Sequence, residues 1–225
     1  MPARKKSAAA VAAGPVPSGR EPPALYLRHY RCIYADPPWK FLTRAPNKNP
    51  KSDRSVERHY QTMTFDEICG LPVQDLAHPD GCHLFMWVTG PYLEKAFAVA
   101  KAWGFRYSAS GFIWLKLKRK HGKGHQIEFV SLAEIEHEMH VGLGFTTRKN
   151  VEFCLLFRRG SPKRLSKKVR EVVISAVREH SRKPDSVPHR IEEYCAGPYL
   201  ELFSRSDRPG WTVWGDQLGK YEAEE

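Results

Sequence analysis

Short apolar segments of strand length recur along the chain and constrain its fold more than any other feature. Helical patterns fall between several of these segments, and strands that alternate with helices are typical of a mainly parallel, doubly wound sheet. The sequence therefore predicts an α/β fold, with strands at 31–35, 82–89, 105–116, 151–157, 171–177, 199–203 and 211–214.

Three helices are predicted between these strands. Residues 66–69 read as a short helix. A longer helix begins at Pro91, carries apolar residues at three- and four-residue spacing, and stops at Gly104. The third begins near Pro188 and ends before Gly197. These helices supply the layers that a doubly wound sheet requires.

The strand at 31–35 ends in Asp36-Pro37-Pro38-Trp39, which gives the strongest indication of chemistry. The prolines end the strand, and Pro37 restricts Asp36 to extended backbone geometry. Asp36 and a neighbouring proline carbonyl can then accept both hydrogens of an exocyclic amine, and Trp39 adds a flat face for stacking. In open α/β sheets ligands bind beyond the carboxyl ends of strands. The motif suits an adenine amino group; the alternative is a strand followed by a proline turn.

The chain is strongly basic, with a formal net charge of +11 and a pI of about 9.5, so a polyanion is the expected partner. No apolar run has the length of a membrane-spanning helix, which argues against a membrane. Segment 117–150 is too long for an ordinary connection and is either disordered or a substrate-handling lid. Phosphate contact is predicted for two basic clusters, with solvated loops as the alternative: Lys118, Arg119, Lys120 and Lys123; and Arg158, Arg159, Lys163, Arg164, Lys167, Lys168 and Arg170.

The five cysteines are far apart and lie mostly in apolar runs, so they are interpreted as reduced core residues of an intracellular, cytoplasmic protein, nucleoid-associated if bacterial. No spacing typical of a zinc site occurs, and no metal is predicted. Residues 1–24 lack periodicity and are predicted to be a disordered basic tail, with a transit peptide or export signal as the alternative. Residues 25–225 are predicted to form one domain.

Several blocks of residues in a fixed order resemble one protein family. After the Asp36 motif come Tyr60-Gln61-Thr62-Met63-Thr64, Leu84-Phe85-Met86-Trp87-Val88-Thr89, Trp103-Gly104-Phe105, Ile113-Trp114-Leu115-Lys116, Glu152-Phe153-Cys154-Leu155, His180-Ser181-Arg182-Lys183-Pro184-Asp185, Glu201-Leu202-Phe203-Ser204-Arg205 and Trp211-Thr212-Val213-Trp214-Gly215-Asp216-Gln217. From about residue 30 to 219 the chain resembles the MT-A70 family of S-adenosylmethionine-dependent adenine amino-methyltransferases. The resemblance implies a Rossmann-like methyltransferase sheet in permuted order, with the catalytic motif before the cofactor-binding elements.

The resemblance also implies roles for individual residues. Asp36, Pro37, Pro38 and Trp39 match the catalytic motif that holds the target base beside the methyl donor. Contacts with S-adenosylmethionine are implied for Asp36, Lys183, Glu201, Arg205, Asp216 and Gln217, and positions near the acceptor base for Tyr60 and Glu152. The basic side chains Lys116, Lys118, Arg119, Lys120 and Arg148 are the further candidate contacts with nucleic acid. Asp207 and Arg208 depart from the family, because the eukaryotic messenger-RNA enzyme has His-Asn there, and the acidic cofactor residue upstream of its catalytic motif has no counterpart. Trp87, Trp103 and Trp114 are expected to be core residues.

The expected activity is methylation of the N6 amino group of adenine in nucleic acid, with DNA favoured over RNA. Two alternatives stay open: a catalytically inactive nucleic-acid-binding subunit of a methyltransferase complex, and methylation of the N4 amino group of cytosine. A homodimer, or a heterodimer with a related subunit, is the expected assembly.

Overall fold

A seven-stranded sheet forms the centre of the structure, a computed structural model that describes residues 10–11, 25–26, 29–40, 62–122, 131–142, 147–179 and 181–221. A separate antiparallel pair consists of β1 (Ala10–Val11) and β2 (Leu25–Tyr26). The strands of the central sheet confirm all seven predicted strands: β3 (Cys32–Ala35), β4 (Gly81–Val88), β5 (Arg106–Leu117), β6 (Val151–Gly160), β7 (Val172–Ala176), β8 (Tyr199–Leu202) and β9 (Trp211–Trp214).

The strand order across the sheet is β7-β5-β6-β4-β3-β8-β9. β3 pairs in parallel with β4 and β8, β8 with β9, and β5 with β7. β6 is antiparallel to both of its neighbours, β4 and β5. The predicted mainly parallel α/β sheet is therefore confirmed, with β6 as its one reversed strand. This topology brings the carboxyl ends of β3, β4, β8 and β9 to one edge of the sheet.

The helices cover both faces of the sheet. They are α1 (Phe65–Cys69), α2 (Val73–Leu76), α3 (Leu93–Ala102), α4 (Leu132–Glu138) and α5 (Ser186–Tyr194), with single 3₁₀ turns at Gly90–Tyr92 and Arg119–Gly122. Apolar side chains of α1, α2 and α3 pack on one face, and those of α5 pack on the other. Because β4 lies under helices on both sides, all eight of its residues are buried.

Local sequence signals set the helix ends. Thr64 caps α1 with a capping box, in which its side chain accepts from the Glu67 N–H and the Glu67 carboxylate accepts from the Thr64 N–H. α3 follows the turn at Pro91 and ends before Gly104, whose φ of 78° favours glycine. The predicted helices at 66–69, 91–104 and near 188 are confirmed. Sequence did not predict α4, whose residues are all at least partly exposed, so it has no buried apolar stripe to read.

The core agrees with the expectations for tryptophan and cysteine. Trp87, Trp103 and Trp114 are buried. Cys32, Cys82, Cys154 and Cys195 are buried, Cys69 is partly exposed, and all five are free thiols. No described helix has the length and apolar character needed to cross a membrane. Most of the predicted tail, residues 1–24, lies outside the described residues; two of its residues form β1.

Candidate active site

The site begins where β3 ends. Asp36 follows the buried strand, and its N–H donates to the carbonyl of Leu202, the last residue of the neighbouring strand β8. β3 is parallel to β4 and β8, so Asp36 lies at the edge where all three strands end. The carboxylate is therefore fixed in the region where open α/β sheets bind their ligands.

Lys183 binds the Asp36 carboxylate across 147 residues of sequence. Its Nζ donates to Asp36 Oδ2 at 2.7 Å and lies 3.4 Å from Glu152 Oε2. Glu152 also accepts from Lys116, so two lysines and two carboxylates form one network. Burial alone would lower the pKa of Lys183, but the Asp36 and Glu152 carboxylates raise that pKa above its usual value. Burial alone would raise the pKa of Glu152, but Lys183 and Lys116 hold it below its usual value. Lys183 and Glu152 are thus both charged at neutral pH.

The two prolines after Asp36 are already hydrogen-bonded. The Trp39 N–H donates to the Pro37 carbonyl, and the Met63 N–H donates to the Pro38 carbonyl, each at 2.9 Å. A carbonyl oxygen has two lone pairs, so Pro37 keeps capacity for one further donor.

Trp39 differs from the expectation of an open stacking face. It is only 4% exposed, belongs to the core, and stacks on Tyr92 with ring centroids 5.7 Å apart. Its Nε1–H donates to the Trp87 carbonyl. The reason for the difference is packing: the turn that follows β4 supplies an aromatic partner for Trp39. Trp39 therefore anchors the Asp36 loop to the core rather than presenting its ring to solvent.

A cleft opens beside Asp36 and Lys183. Glu201 lines it and accepts from Arg208 Nε at 2.9 Å, with both side chains largely buried. Burial raises the pKa of Glu201, against the opposing effect of Arg208. Among the described residues, the cleft is lined by Tyr34, Asp36, Ser181, Arg182, Lys183, Pro184, Asp185, Glu201, Phe203, Arg205, Ser206, Arg208 and Tyr221.

Two lining residues have strained backbone. Ser181 has a φ of 62° and Phe203 a φ of 64°, in the left-handed region that disfavours residues with a side chain. They flank the cleft from opposite segments, one before Lys183 and the other directly after β8. Such strain is common at ligand sites, because the surrounding fold holds the backbone in place there.

The structure brings four of the predicted cofactor residues to this cleft: Asp36, Lys183, Glu201 and Arg205. Asp216 and Gln217 are not part of the described lining. They follow β9 at the same edge, where the Gln217 side-chain oxygen accepts from Lys220 Nζ at 3.0 Å. Tyr60, predicted to lie near the acceptor base, is outside the described residues.

Two lysines of the first basic cluster pair with an acidic residue, and a third member, Lys123, lies outside the described residues. Lys120 Nζ lies 2.6 Å and Lys118 Nζ 3.6 Å from carboxylate oxygens of Glu138, at the end of α4. Lys120, then His121, hold the pKa of Glu138 well below its usual range. Arg119 donates to the Arg178 carbonyl, and Arg148 is exposed. Sequence spacing could not reveal this pairing, because Glu138 lies in a helix that the sequence does not predict.

Sequence reasoning also missed functional candidates. Arg208 was noted only as a departure from the family, yet it binds Glu201. Arg178 and Arg182 both pair with Asp185, at 2.5 Å and 3.4 Å. The Lys-Pro-Asp block was the available signal for Asp185. No sequence signal marked Tyr34 or Tyr221, whose contribution depends on the tertiary fold.

Comparison with known proteins places these features in a family. The model of the MT-A70 family matches residues 30–217. The chain is similar to the Type II methyltransferase M.MunI of a Mycoplasma species, with 29% identity over 211 residues that cover 87% of this chain and 81% of that protein. It is 28% identical over 197 residues to the human N(6)-adenosine-methyltransferase catalytic subunit METTL3, covering 85% of this chain and 29% of METTL3. An MT-A70-like protein of Drosophila melanogaster is 29% identical, with 27% of its length covered. The chain thus spans less than a third of these two animal proteins.

Proposed function

The chain belongs to the MT-A70 family, and from that premise we propose that it transfers a methyl group from S-adenosylmethionine to the N6 amino group of adenine in nucleic acid. The observation that carries the proposal is the contact between Lys183 and Asp36 at the mouth of the cleft. It holds the one carboxylate of the catalytic motif at the carboxyl edge of the sheet. Residues 25–225 form the methyltransferase domain in this proposal.

The cleft residues fit S-adenosylmethionine, which supplies an electrophilic methyl group on a sulfonium. This donor carries ribose hydroxyls and an ammonium group that need acceptors, and a carboxylate that needs a cation. Glu201 offers a largely buried carboxylate, and Arg205 contributes a guanidinium to the same cleft. Phe203 adds an aromatic ring. Asp36, Lys183, Glu201 and Arg205 would hold the donor, and Asp216 and Gln217 would extend the site beyond the cleft.

The acceptor amine is oriented by fixed acceptors. Within the described residues Asp36 Oδ2 is bound by Lys183, whereas Oδ1 has no hydrogen-bond donor. Oδ1 and the second lone pair of the Pro37 carbonyl can accept the two amine hydrogens, which favours a pyramidal nitrogen whose lone pair is free of the ring. When the methyl–sulfur bond breaks to leave a neutral thioether and the nitrogen–carbon bond forms, Asp36, whose side chain is 23% exposed, would accept the proton that the amine loses. Positioning and electrostatics supply the rate enhancement.

Lys183 acts by charge rather than as a base. Because its pKa is raised, the ammonium keeps its proton at neutral pH and continues to donate to Asp36. Glu152 shares both lysines of the network and therefore positions Lys183, although it also stays a candidate neighbour of the acceptor base together with Tyr60. Trp39 keeps the Asp36 loop against the core.

We propose DNA as the substrate, ahead of RNA. The support is the likeness to M.MunI, a Type II methyltransferase of which this chain spans 81%, against 29% of METTL3. The basic residues remain proposed substrate contacts: Lys116, Lys118, Arg119, Lys120 and Arg148. An intracellular location is supported by the five free thiols. Assembly as a homodimer or with a related subunit is supported by the apolar side chains that β7, an edge strand, leaves exposed.

The test is a methyl-transfer assay on purified protein. Labelled S-adenosylmethionine is incubated with single- and double-stranded DNA and RNA, including strands with adenine but no cytosine and the reverse, and the digested nucleosides are identified. N6-methyladenine is the expected product, with more from DNA. Methylcytosine as the product would show that cytosine, not adenine, is the target base. Donor binding without transfer to any substrate would favour an inactive subunit.

A matched pair of variants locates the chemistry. Asp36→Asn keeps the side-chain shape but removes the charge, and we expect turnover to fall by about 100-fold or more. Asp75→Asn makes the same change on the exposed side of α2 and should leave turnover unaltered. Equal turnover of the two variants at saturating substrate would refute the role of Asp36.

A further inference from the structure

The basic clusters of the chain differ in how far acidic residues of the protein neutralise their positive charge. Beside the cleft, Lys116 pairs with Glu152, and Lys118 and Lys120 pair with Glu138. Each of these lysines therefore has an acidic partner within the protein. Their capacity to attract a polyanion is reduced, because the internal carboxylates neutralise part of the local charge.

A second group of cations lacks such partners. We call it the distal basic surface. All six of its residues are exposed, and none takes part in a salt bridge within the described part of the chain: Arg106, Arg158, Lys163, Arg164, Lys167 and Lys168. The nearby acids have other contacts, since Asp80 pairs with Arg31 and Glu193 accepts from Ser166 Oγ. Arg159 lies outside this surface, because its guanidinium donates to the Gln74 carbonyl.

The distal basic surface lies at the edge of the sheet opposite the cleft. Arg106 pairs with Arg158, and Arg158 is in register with His83, which pairs in turn with Cys32 at the start of β3. Asp36 is four residues further along the chain, which is about 13 Å along a strand at about 3.3 Å per residue. Other members of the surface follow Gly160, beyond the end of β6.

The loop that carries the lysines is held in a defined path. The Leu165 N–H donates to the carbonyl of Tyr194, at the end of α5, at 2.7 Å. The Lys163 carbonyl lies 3.4 Å from a ring nitrogen of His83, and Ser166 Oγ accepts from the Lys168 N–H. These contacts fix the loop but leave the charged side chains in solvent. The positively charged groups are therefore accessible to an anionic partner.

One pairing in the sheet is unfavourable without an anion. Arg106 and Arg158 are directly opposite each other on adjacent antiparallel strands, and like charges in this arrangement destabilise a sheet. A phosphate between the two guanidinium groups would remove the repulsion and accept hydrogen bonds from both. The sheet therefore carries a feature that an anionic ligand would stabilise.

We propose that the distal basic surface binds the sugar–phosphate backbone of the nucleic acid whose adenine lies in the cleft. The identity of the partner rests on the proposed function. The separation along the strands alone is about 13 Å. Because a duplex rises about 3.4 Å per nucleotide of one strand, this contact lies at least about four nucleotides from the target base. The surface raises affinity for long substrates irrespective of their sequence, since phosphate contacts carry no sequence information.

The experiment measures the salt dependence of binding by fluorescence anisotropy, with a labelled duplex of about 30 base pairs between about 50 and 200 mM salt. The variant combines Lys163→Gln, Lys167→Gln and Lys168→Gln. Each lost phosphate contact reduces the slope of log K against log salt by about 0.9, so the slope should fall by about 0.9 to 2.7. The same three lysines changed to arginine should keep the wild-type slope. Affinity for S-adenosylmethionine, measured by calorimetry, should be the same in all three proteins.

Two results would overturn the proposal: an unchanged slope in the glutamine variant, or an equal reduction of the slope in the arginine variant. Binding is measured without turnover, so the outcome is independent of the chemistry. A protein that binds duplex with the expected slopes yet methylates nothing would support the distal basic surface and refute the proposed function.

Discussion

Replacing Lys183 with methionine removes the cation that two carboxylates share, and its effect follows from the geometry. Lys183 Nζ lies 2.7 Å from Asp36 and 3.4 Å from Glu152, and the three side chains are 11%, 23% and 13% exposed. Removing one partner of a buried ion pair costs about 3–5 kcal/mol. Lys116 still compensates Glu152 and Asp36 is partly hydrated, so the lower end applies. We expect Lys183→Met to lower the free energy of unfolding by about 3 kcal/mol at pH 7.

The pH dependence of this loss has a defined sign. Glu152 has a lowered pKa in the folded protein, so its contribution is present above the unfolded value of about 4.3 and is lost as pH falls through the folded value. Lys183 has a raised pKa, so its contribution is present below about 10.4 and is lost as pH rises through the folded value. The difference between wild type and Lys183→Met should therefore be largest between these limits and shrink as pH falls below about 4.3.

Urea denaturation followed by circular dichroism measures both effects. Lys101→Met on the exposed side of α3 is the matched control and should change the free energy of unfolding by less than about 0.5 kcal/mol. Two results would contradict the role of Lys183 in this ion pair: a Lys183→Met variant as stable as this control at pH 7, or a loss of unfolding free energy that grows as pH falls below about 4.3.

Three further changes test other parts of the site. Gly215→Ala should destabilise the protein by about 1–3 kcal/mol in urea denaturation, because an added Cβ would overlap the Ser204 carbonyl oxygen; wild-type stability would contradict this packing. Trp39→Ala should lower the free energy of unfolding by about 3–5 kcal/mol, as expected for a buried ring, whereas an open stacking residue would lose little. Arg208→Gln leaves the Glu201 carboxylate without its ion-pair partner and should further raise the pKa of Glu201, so donor affinity measured by calorimetry should fall more steeply toward low pH than in wild type; an unchanged pH profile would refute the coupling.

The sheet could be predicted from sequence because its signals are local. Apolar runs of strand length identified all seven strands, and Pro91 and Gly104 marked the limits of the longest described helix. The reversal of β6 was not readable, because buried parallel and antiparallel strands have the same apolar composition. Strand direction depends on how the connections on either side return to the sheet.

The site was only partly predictable, for a different reason. The Asp36 motif and Lys183 could be identified because each lies in a distinctive block. The neighbours of a side chain depend on tertiary packing, so the burial of Trp39 under Tyr92 and the pairing of Lys118 and Lys120 with Glu138 were not readable. In both cases the partner lies in another element, and sequence distance gives no measure of contact.

The proposed enzyme has to attract nucleic acid and to orient the acceptor amine, and its charges are neutralised within the protein to different degrees for these two tasks. In the cleft, the described carboxylates are matched by cations within the protein, as in the pairs of Asp36 with Lys183 and Glu201 with Arg208. Buried pairs are screened weakly by salt, whereas exposed charges lose most of their reach at physiological ionic strength. Turnover at saturating nucleic acid should therefore vary little with salt. The nucleic-acid concentration needed for saturation should rise steeply as the salt concentration increases. If both quantities changed in parallel, the charges that attract the substrate and those that orient the amine would have to be the same, which is contrary to their placement at opposite edges of the sheet.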